Sequence, residues 1–561
     1  MRSLDAIAQQ LAFASTRSGN KKKSKQTRLT GDWSVNLGSG AKVGAGRFPA
    51  KFSFNPDATP NCSSDFVVFN TSLTGSPSQA SVIAFNQLYA TTCGTAPAVY
   101  WAYNTGGMVN NSVVLSADGS QVAFIHSGTP PSLVILKWKA GQGTSASSPM
   151  SSNGTTFIST STASTYVSCK TTSNACQLTL PFFSYTFAND SLSSPFYDYT
   201  NDILYVGDDG GALHKFTGVF NGTPAEVGSG SPWQTIENGT ALTSPVVDYG
   251  AATPTIYIGE YKTGYVDYVT TSGTNHTRSG HIGFNTNVDI KDAPVVDATA
   301  GKIYVAVAAD SAGNNAIYMF NRGFAGGNTG SEAIVGTGSL TNSVPLLDGD
   351  FDQVYYASSN ATGNLYVCGD TGGSAKLYQV PINAGIFGSA LTGPTLSSAS
   401  ITCSPVTEIY NTAASDGPFD WIFLSVQGSG ALANCAGGGC VMSFTVTQWQ
   451  ANTAYSLNQE VLDTNLNIEK VTTAGTSGAS PPSWNISSGG VTADGSGTLV
   501  WTNQGSMATN AASRAEAGGT SGIIIDNVST TTGASQVYFS TLSNGSCGGG
   551  CAVQASQSGL N

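Results

Sequence analysis

Charge is scarce in this sequence. Only 10% of its 561 residues are Asp, Glu, Lys or Arg, against roughly 25% in an average soluble domain. A surface so poor in charge has to be made of hydroxyls and amides, a coat that suits neutral, hydrogen-bonding polymers. Long apolar runs are missing too: no stretch approaches the ~20 consecutive apolar residues of a membrane span, so no transmembrane segment is expected. Helical periodicity is nearly absent, while Gly, Ser, Thr, Asn, Val and Tyr dominate, as turn-rich β-structure requires. Histidine is rare. His276 and His281 stand five apart in a polar stretch, not at the i, i+4 spacing of a helical zinc site, and His126 and His214 are isolated. No Gly-x-Ser-x-Gly elbow occurs, so the sequence names no catalytic triad.

What charge there is lies unevenly. Residues 1–28 hold seven basic side chains and one acid, a net +6, whereas the chain as a whole carries −11. The remainder is therefore −17, and an acidic body repels phosphate, which argues against nucleic acid as a partner. The Lys21-Lys22-Lys23-Ser24-Lys25 run reads as a solvated tail. Leu4, Ile7, Ala8 and Leu11 make a short apolar stripe, but Asp5, Gln9 and Gln10 break it, so it lacks the continuous core of a secretion signal.

The ten cysteines fall into near neighbours: Cys62 with Cys93, Cys169 with Cys176, Cys368 with Cys403, Cys435 with Cys440, and Cys547 with Cys551. Short-range pairing in a low-charge chain predicts five disulfides and a location outside the cytoplasm, secreted or at the cell surface. The alternative, a Cys₄ metal site from Cys435, Cys440, Cys547 and Cys551, requires their two loops to meet.

The architecture is carried by residues 194–380. One phrase recurs at Ser194-Pro195-Phe196-Tyr197-Asp198, Ser244-Pro245-Val246-Val247-Asp248, Ala293-Pro294-Val295-Val296-Asp297 and Val344-Pro345-Leu346-Leu347-Asp348, with prolines 50, 49 and 51 residues apart. Each Asp is followed by a strand tyrosine: Tyr205, Tyr257, Tyr304 and Tyr355. A period near fifty made of short strands means the blades of a propeller. Weaker copies sit around 112–138, at Ser404-Pro405-Val406 with Trp421-Ile422-Phe423-Leu424, and at Ile523-Ile524-Ile525-Asp526 with Val537-Tyr538-Phe539. The expected fold is an all-β propeller of seven or eight blades, eight preferred. Trp33-Ser34-Val35-Asn36-Leu37 is the expected strand that completes a blade begun by the other end of the chain. Residues 141–165 read as a long excursion without periodicity.

Residues 449–505 lack the phrase and bring their own aromatics, Trp449, Tyr455, Trp484 and Trp501. They read as a small β-module inserted between the last two blades. The resulting division is a basic tail (1–30), the blades (31–447), the module (448–506), and a linker plus last blade (507–561).

The repeats resemble secreted bacterial propellers of the quinoprotein-like or YVTN-like kind. The docking phrase Ala-x-Asp-x-x-Thr-Gly-x-x-x-Trp of the alcohol-dehydrogenase quinoproteins is absent, so no quinone or other cofactor is expected. The Trp449…Tyr455…Val461 opening, Pro481-Pro482-Ser483-Trp484 and the Asp494-Gly495…Trp501 ending resemble chitin-binding type 3 modules and related modules of phage tails. That likeness implies sugar binding. Sugars are gripped by flat aromatic faces, and Tyr455, Trp484 and Trp449 are the candidate platform, set against the reading that they are simply the module's core.

Asp348, Asp350 and Asp352 alternate as a Ca²⁺ loop would, but the glycine and distal glutamate of an EF-hand are absent. A turn-capping role for Asp348, shared with Asp198, Asp248 and Asp297, is the structural alternative. Glu237, Asp248, Glu260, Asp292 and Glu408 are the acids that loops of a propeller can bring together for glycoside cleavage. The function expected is a glycan-binding, adhesive scaffold whose partner is polysaccharide or cell-wall glycan. Two rivals are a polysaccharide-active hydrolase or lyase targeted by the module, and a structural surface or filament subunit that self-assembles.

Overall fold

The structure is a computed structural model, and it describes residues 29–52, 61–89, 93–94, 96–183, 193–284, 289–341, 344–412, 417–526 and 536–557. The basic tail lies outside the described residues. No helix among the described residues is long and apolar enough to cross a membrane.

Eight sheets of four or five strands follow one another along the chain. Their first strands are Ala50–Phe52, Val114–Leu115, Phe196–Asp198, Val246–Asp248, Val295–Asp297, Asp350–Phe351, Thr407–Asn411 and Ile524–Asp526. The recurring phrase reflects one register: Phe196 pairs with Tyr205, Val246 with Tyr257, and Val295 with Tyr304. The phrase Asp then closes the hairpin. Asp198 Oδ1 accepts from the amides of Thr200 and Asn201, Asp248 Oδ1 from that of Gly250, and Asp297 Oδ1 from those of Thr299 and Ala300.

The phrase serine has a different task. Ser112 Oγ accepts from Phe48 N, Ser194 Oγ from Ser112 N, and Ser244 Oγ from Ser194 N, at 3.0, 3.1 and 2.7 Å. Each serine thus ties the start of one sheet to the start of the sheet before it. Further round, Asp292 Oδ2 accepts from Asp348 N, Asp348 O from Val406 N, and Arg47 O from Gly522 N.

The first and last strands of the chain meet as expected. Thr30–Gly38 pairs antiparallel with Gly550–Ser556 and completes the eighth sheet. Trp33 packs against Phe85 of the first sheet and Tyr538 of the eighth, and its Nε1 donates to Leu88 O. Every junction between successive sheets holds a buried apolar cluster, and so does the junction between eighth and first. That last junction is also polar: the Tyr89 hydroxyl lies between the Asp65 and Asp526 carboxylates, and Lys51 pairs with Asp526 at 2.9 Å. Between the first strand and the first sheet, Val43, Ala45 and Arg47 are buried. This segment reaches Leu347, and Asp292 feels the charge of Arg47.

All five disulfides form as the spacing predicts. Cys62 is bonded to Cys93, Cys169 to Cys176, Cys368 to Cys403, Cys435 to Cys440, and Cys547 to Cys551. The bond between Cys62 and Cys93 closes a 31-residue loop around the middle strands of the first sheet, Phe66–Asn70 and Val82–Asn86. The bond between Cys169 and Cys176 fastens the helix Ala163–Lys170 to the strand Ala175–Pro181 that follows it, and both cysteines are buried. Cys435–Cys440 and Cys547–Cys551 clamp the Gly-rich loops before the strands Cys440–Thr445 and Gly550–Ser556. They are disulfides, not ligands of a metal.

Four expectations need correction. In the sixth sheet the phrase slips: the first strand is Asp350–Phe351, pairing with Tyr366, and Tyr355 lies in the helix Gln353–Ala357 rather than in a strand. Asp352, not Asp348, holds the turn-capping position, accepting from the amides of Tyr355 and Asn364. Residues 141–165 are not one loop: Phe157–Thr160 forms an outer strand of the second sheet, and the helix Ala163–Lys170 starts before they end. Finally, Ala512–Ala515, placed in a linker by its small residues, pairs with Cys440–Ser443 and completes the seventh sheet.

Between these last two strands the chain leaves for residues 446–511. Glu460–Leu462, Asn467–Thr473, Leu499–Ser506 and Val491–Asp494 form a four-stranded sheet, with a small pair at Ala454–Tyr455 and Gly475–Thr476. Tyr455, Val461, Val471, Leu499 and Trp501 form its core.

Candidate functional site

The strand Phe419–Val426 is buried along its whole length and almost wholly apolar, except for Asp420 and Ser425. A carboxylate inside such a strand loses water and must be compensated. Asp420 is 1% exposed. Its Oδ2 accepts from Gln353 N at 2.7 Å, at the start of the helix that Asp352 caps. Its backbone is fixed through Thr447: the Asp420 amide donates to Thr447 Oγ1 at 2.9 Å. Tyr410 stands directly across the ladder, and cross-strand partners share a face. Glu408, two residues along on the same face, is hydrogen-bonded to Asp420 through the carboxyl groups. Two carboxyls can share a hydrogen bond only by sharing a proton. Burial, and then the charge of Asp352, push Asp420 up to about 8.

Asp420 lines a cavity of about 520 Å³ where the sixth and seventh sheets meet the inserted residues. One wall is the helix Gln353–Ala357 with Ser358 and Thr362, another is Tyr410, Pro418 and Asp420, and the third is Thr447, Gln448, Gln450, Thr453–Tyr455, Gln459 and Glu460. Apolar stems and two tyrosine rings supply the surface, and amides and hydroxyls supply the polar points, the usual make-up of a small-ligand site. The walls are mutually braced: Gln448 Nε2 donates to the Tyr366 hydroxyl at 3.0 Å, and the Tyr455 hydroxyl accepts from Gln450 N at 2.7 Å.

The aromatic candidates are placed differently from an open platform. Trp449 and Trp484 are half-buried against the module's core, Tyr455 meets Trp501 edge-on at 4.8 Å, and Trp484 meets it likewise at 5.8 Å. Asp494 gathers this group, accepting from Trp449 Nε1 at 2.8 Å and Trp501 Nε1 at 3.0 Å. Of the three, Tyr455 lines the cavity.

The candidate acids separate. Glu408 is not in the cavity lining and is tied to it through Asp420. Glu237 and Glu260 both reach Arg278 in the fourth sheet, where Asp267 joins them and also receives His276 at 2.8 Å. Burial, and then Asp267, push Glu260 up to about 8. Asp248 is paired with Arg322, and Asp292 is fully buried, so desolvation raises it. Asp350 Oδ2 accepts from Glu408 N at 2.8 Å, so with Asp352 it is engaged by backbone donors. No group of three or more ligating side chains among the described residues is placed to hold a metal ion.

His126 is half-buried beside Thr105 and desolvation pushes it down to about 4, while His281 stacks on Tyr265 at 4.8 Å. His214 is fully buried, with Nδ1 2.6 Å from Glu226 and Nε2 3.1 Å from Asp208. Sequence reasoning missed Asp420. The signal was there, one acid in the run Phe419-Asp420-Trp421-Ile422-Phe423-Leu424.

No protein-family model matches this chain, and no curated protein matches it. Solved structures do. A chain of the mitotic checkpoint complex is similar at 10% identity, covering 73% of this chain and 94% of its own, with a TM-score of 0.37. The computationally designed Ika8 protein is similar at 9% identity over 84% and 98%, TM-score 0.38. The WD40 β-propeller domain of Doa1 is similar at 11% identity over 70% and 93%, TM-score 0.34. Likeness at this level says nothing about activity.

Proposed function

We propose that this chain is a glycan-binding protein of the extracellular space or cell surface, built on an eight-bladed propeller whose eighth sheet closes against its first. The glycan seats in the cavity between the seventh sheet and the inserted module, not on an open aromatic platform. The observation that carries this reading is the cavity of about 520 Å³, with two tyrosines for C–H stacking and a surround of amides and hydroxyls. The apolar cluster and the polar contacts between eighth and first sheets support closure. Five disulfides support an oxidising compartment.

The test is retention of the full chain on chitin, cellulose and peptidoglycan, beside the cavity-filling variant Ala454→Trp. Ala454 is exposed at the cavity wall, so the larger ring obstructs the space without disturbing the core. Retention by the parent and at least about tenfold weaker retention by the variant are expected. Equal retention would exclude the cavity, and no retention by the parent would exclude glycan binding.

A second reading, a polysaccharide-cleaving enzyme, is favoured by the proton shared between Asp420 and Glu408, which supplies a general acid at neutral pH. Release of reducing ends from the same polymers tests it, and a flat result between acid and alkaline pH would remove it.

A further inference from the structure

The cavity holds a buried acceptor that has no donor. Gln353 Oε1 is buried and receives no hydrogen bond, and Asp420 meets its neighbour Glu408 through the proton they share. Both residues line the cavity. An acceptor left without a donor in a buried place is costly, so an occupant of this space gains by donating to it. The charged residues of the lining are acids, Asp420 and Glu460, with no Lys, Arg or His among them. Behind Asp420 stand Glu408 on the neighbouring strand and Asp350 and Asp352 on the sixth sheet. Glu460, on the module, faces Lys470 across its own ladder. The titratable neighbours that remain are Tyr410 and Tyr455 in the walls and Tyr366 beneath them. An anionic sugar meets only like charge here. A neutral hydroxyl brings one donor, whereas an ammonium brings three and no acceptor, and tyrosine faces attract cations.

We infer that the cavity selects glycans carrying free amines, the ammonium of an amino sugar donating to Asp420 and Gln353, over their acetylated and acidic counterparts. This selectivity rests on the glycan-binding reading above. The step balances as an exchange of cations. The proton shared by Asp420 and Glu408 leaves to solvent as the ammonium enters, and the carboxylate so formed pairs with it. Because Asp420 is otherwise held protonated up to about pH 8, uptake of the amine below that pH releases a proton.

The experiment is calorimetric titration of the full chain with three oligosaccharides of equal length: a fully deacetylated glucosamine oligomer, its N-acetylated form and a uronic acid oligomer. At about pH 6 the sugar amines are charged and the carboxyl pair holds its proton, and buffers of different ionisation heat count protons released. Expected are at least about tenfold tighter binding of the amine, about one proton released, and loss of both the preference and the proton release in Asp420→Asn. Gln353→Leu, on the half-exposed end of a helix, is the second variant should Asp420→Asn fold poorly, and it should narrow the preference for the amine over the acetylated oligomer. Equal or tighter binding of the acetylated oligomer, or an amine preference that survives both variants, overturns the selectivity while leaving glycan binding intact. Failure of all three oligomers to bind overturns the glycan-binding reading and the selectivity with it.

Discussion

His214 offers the sharpest quantitative test of the structure. Both of its ring nitrogens face carboxylates, Nδ1 toward Glu226 at 2.6 Å and Nε2 toward Asp208 at 3.1 Å, and all three side chains are buried. A neutral imidazole has one N–H and can satisfy only one of them, so the pair calls for imidazolium. Burial disfavours that charge, but the two carboxylates outweigh it and hold His214 up to about 9, from an ordinary 6.5. The folded form therefore binds the proton more tightly than the unfolded chain. The stabilisation is fully present below about pH 6.5 and is lost as pH rises through about 9. A rise of this size corresponds to about 3 kcal/mol at ~1.4 kcal/mol per pH unit. Asp209, Glu260 and Asp420 are also raised, to about 7, 8 and 8, and lose stability in an overlapping window. The measurement is therefore a difference: urea unfolding of the parent and of His214→Gln at pH values from about 6 to 10. The gap between the two should narrow by about 3 kcal/mol across that range. The four histidines also permit ring-carbon NMR, where the His214 signal should titrate near 9. A gap that is constant with pH, or a His214 midpoint below 7, would refute the buried imidazolium.

Three further outcomes follow from the same coordinates. Trp33→Ala empties a site that is 7% exposed between the eighth and first sheets, and should cost about 3–5 kcal/mol in urea unfolding. Replacing Cys368 and Cys403 by serine opens a loop of 35 residues joining the sixth and seventh sheets. Loop entropy gives about 4 kcal/mol for that pair, against about 2 kcal/mol for Cys547 and Cys551, separated by 4, and paired melts of the two double variants check the order. Arg322→Met leaves the fully buried carboxylate of Asp248 without its cation and should destabilise by about 3–5 kcal/mol in urea unfolding.

The register of the third, fourth and fifth sheets was readable because phrase residues recur at fixed offsets and do one job each: tyrosine pairs, aspartate turns and, in the third and fourth, serine links. The sixth sheet broke the rule because its second phrase leucine serves another purpose. Leu347 packs against Val43, Ala45 and Leu542, which pushes the first strand onward to Asp350–Phe351. Ala512–Ala515 carries no alternation that would mark a strand, and it pairs because Cys440–Ser443 leaves an open edge beside it. The module's aromatics were legible as a set but not as core or surface, since that depends on Asp494 drawing Trp449 and Trp501 inward. Asp420 and Glu408 are twelve residues apart in sequence, and only a hairpin with its return strand in register makes them one acid.

The pairing of Thr30–Gly38 with Gly550–Ser556 has a consequence for biosynthesis. Ser556 Oγ hydrogen-bonds Asp32 across 524 residues of chain, so Thr30–Gly38 leaves the ribosome long before the strand it pairs with. Until then the eighth sheet lacks its outer edge and the first sheet lacks the neighbour that covers Phe85. A nascent or truncated chain that stops short of Gly550 should accordingly be open to proteases around Thr30–Gly38, and resistance there would report that synthesis has passed Ser556.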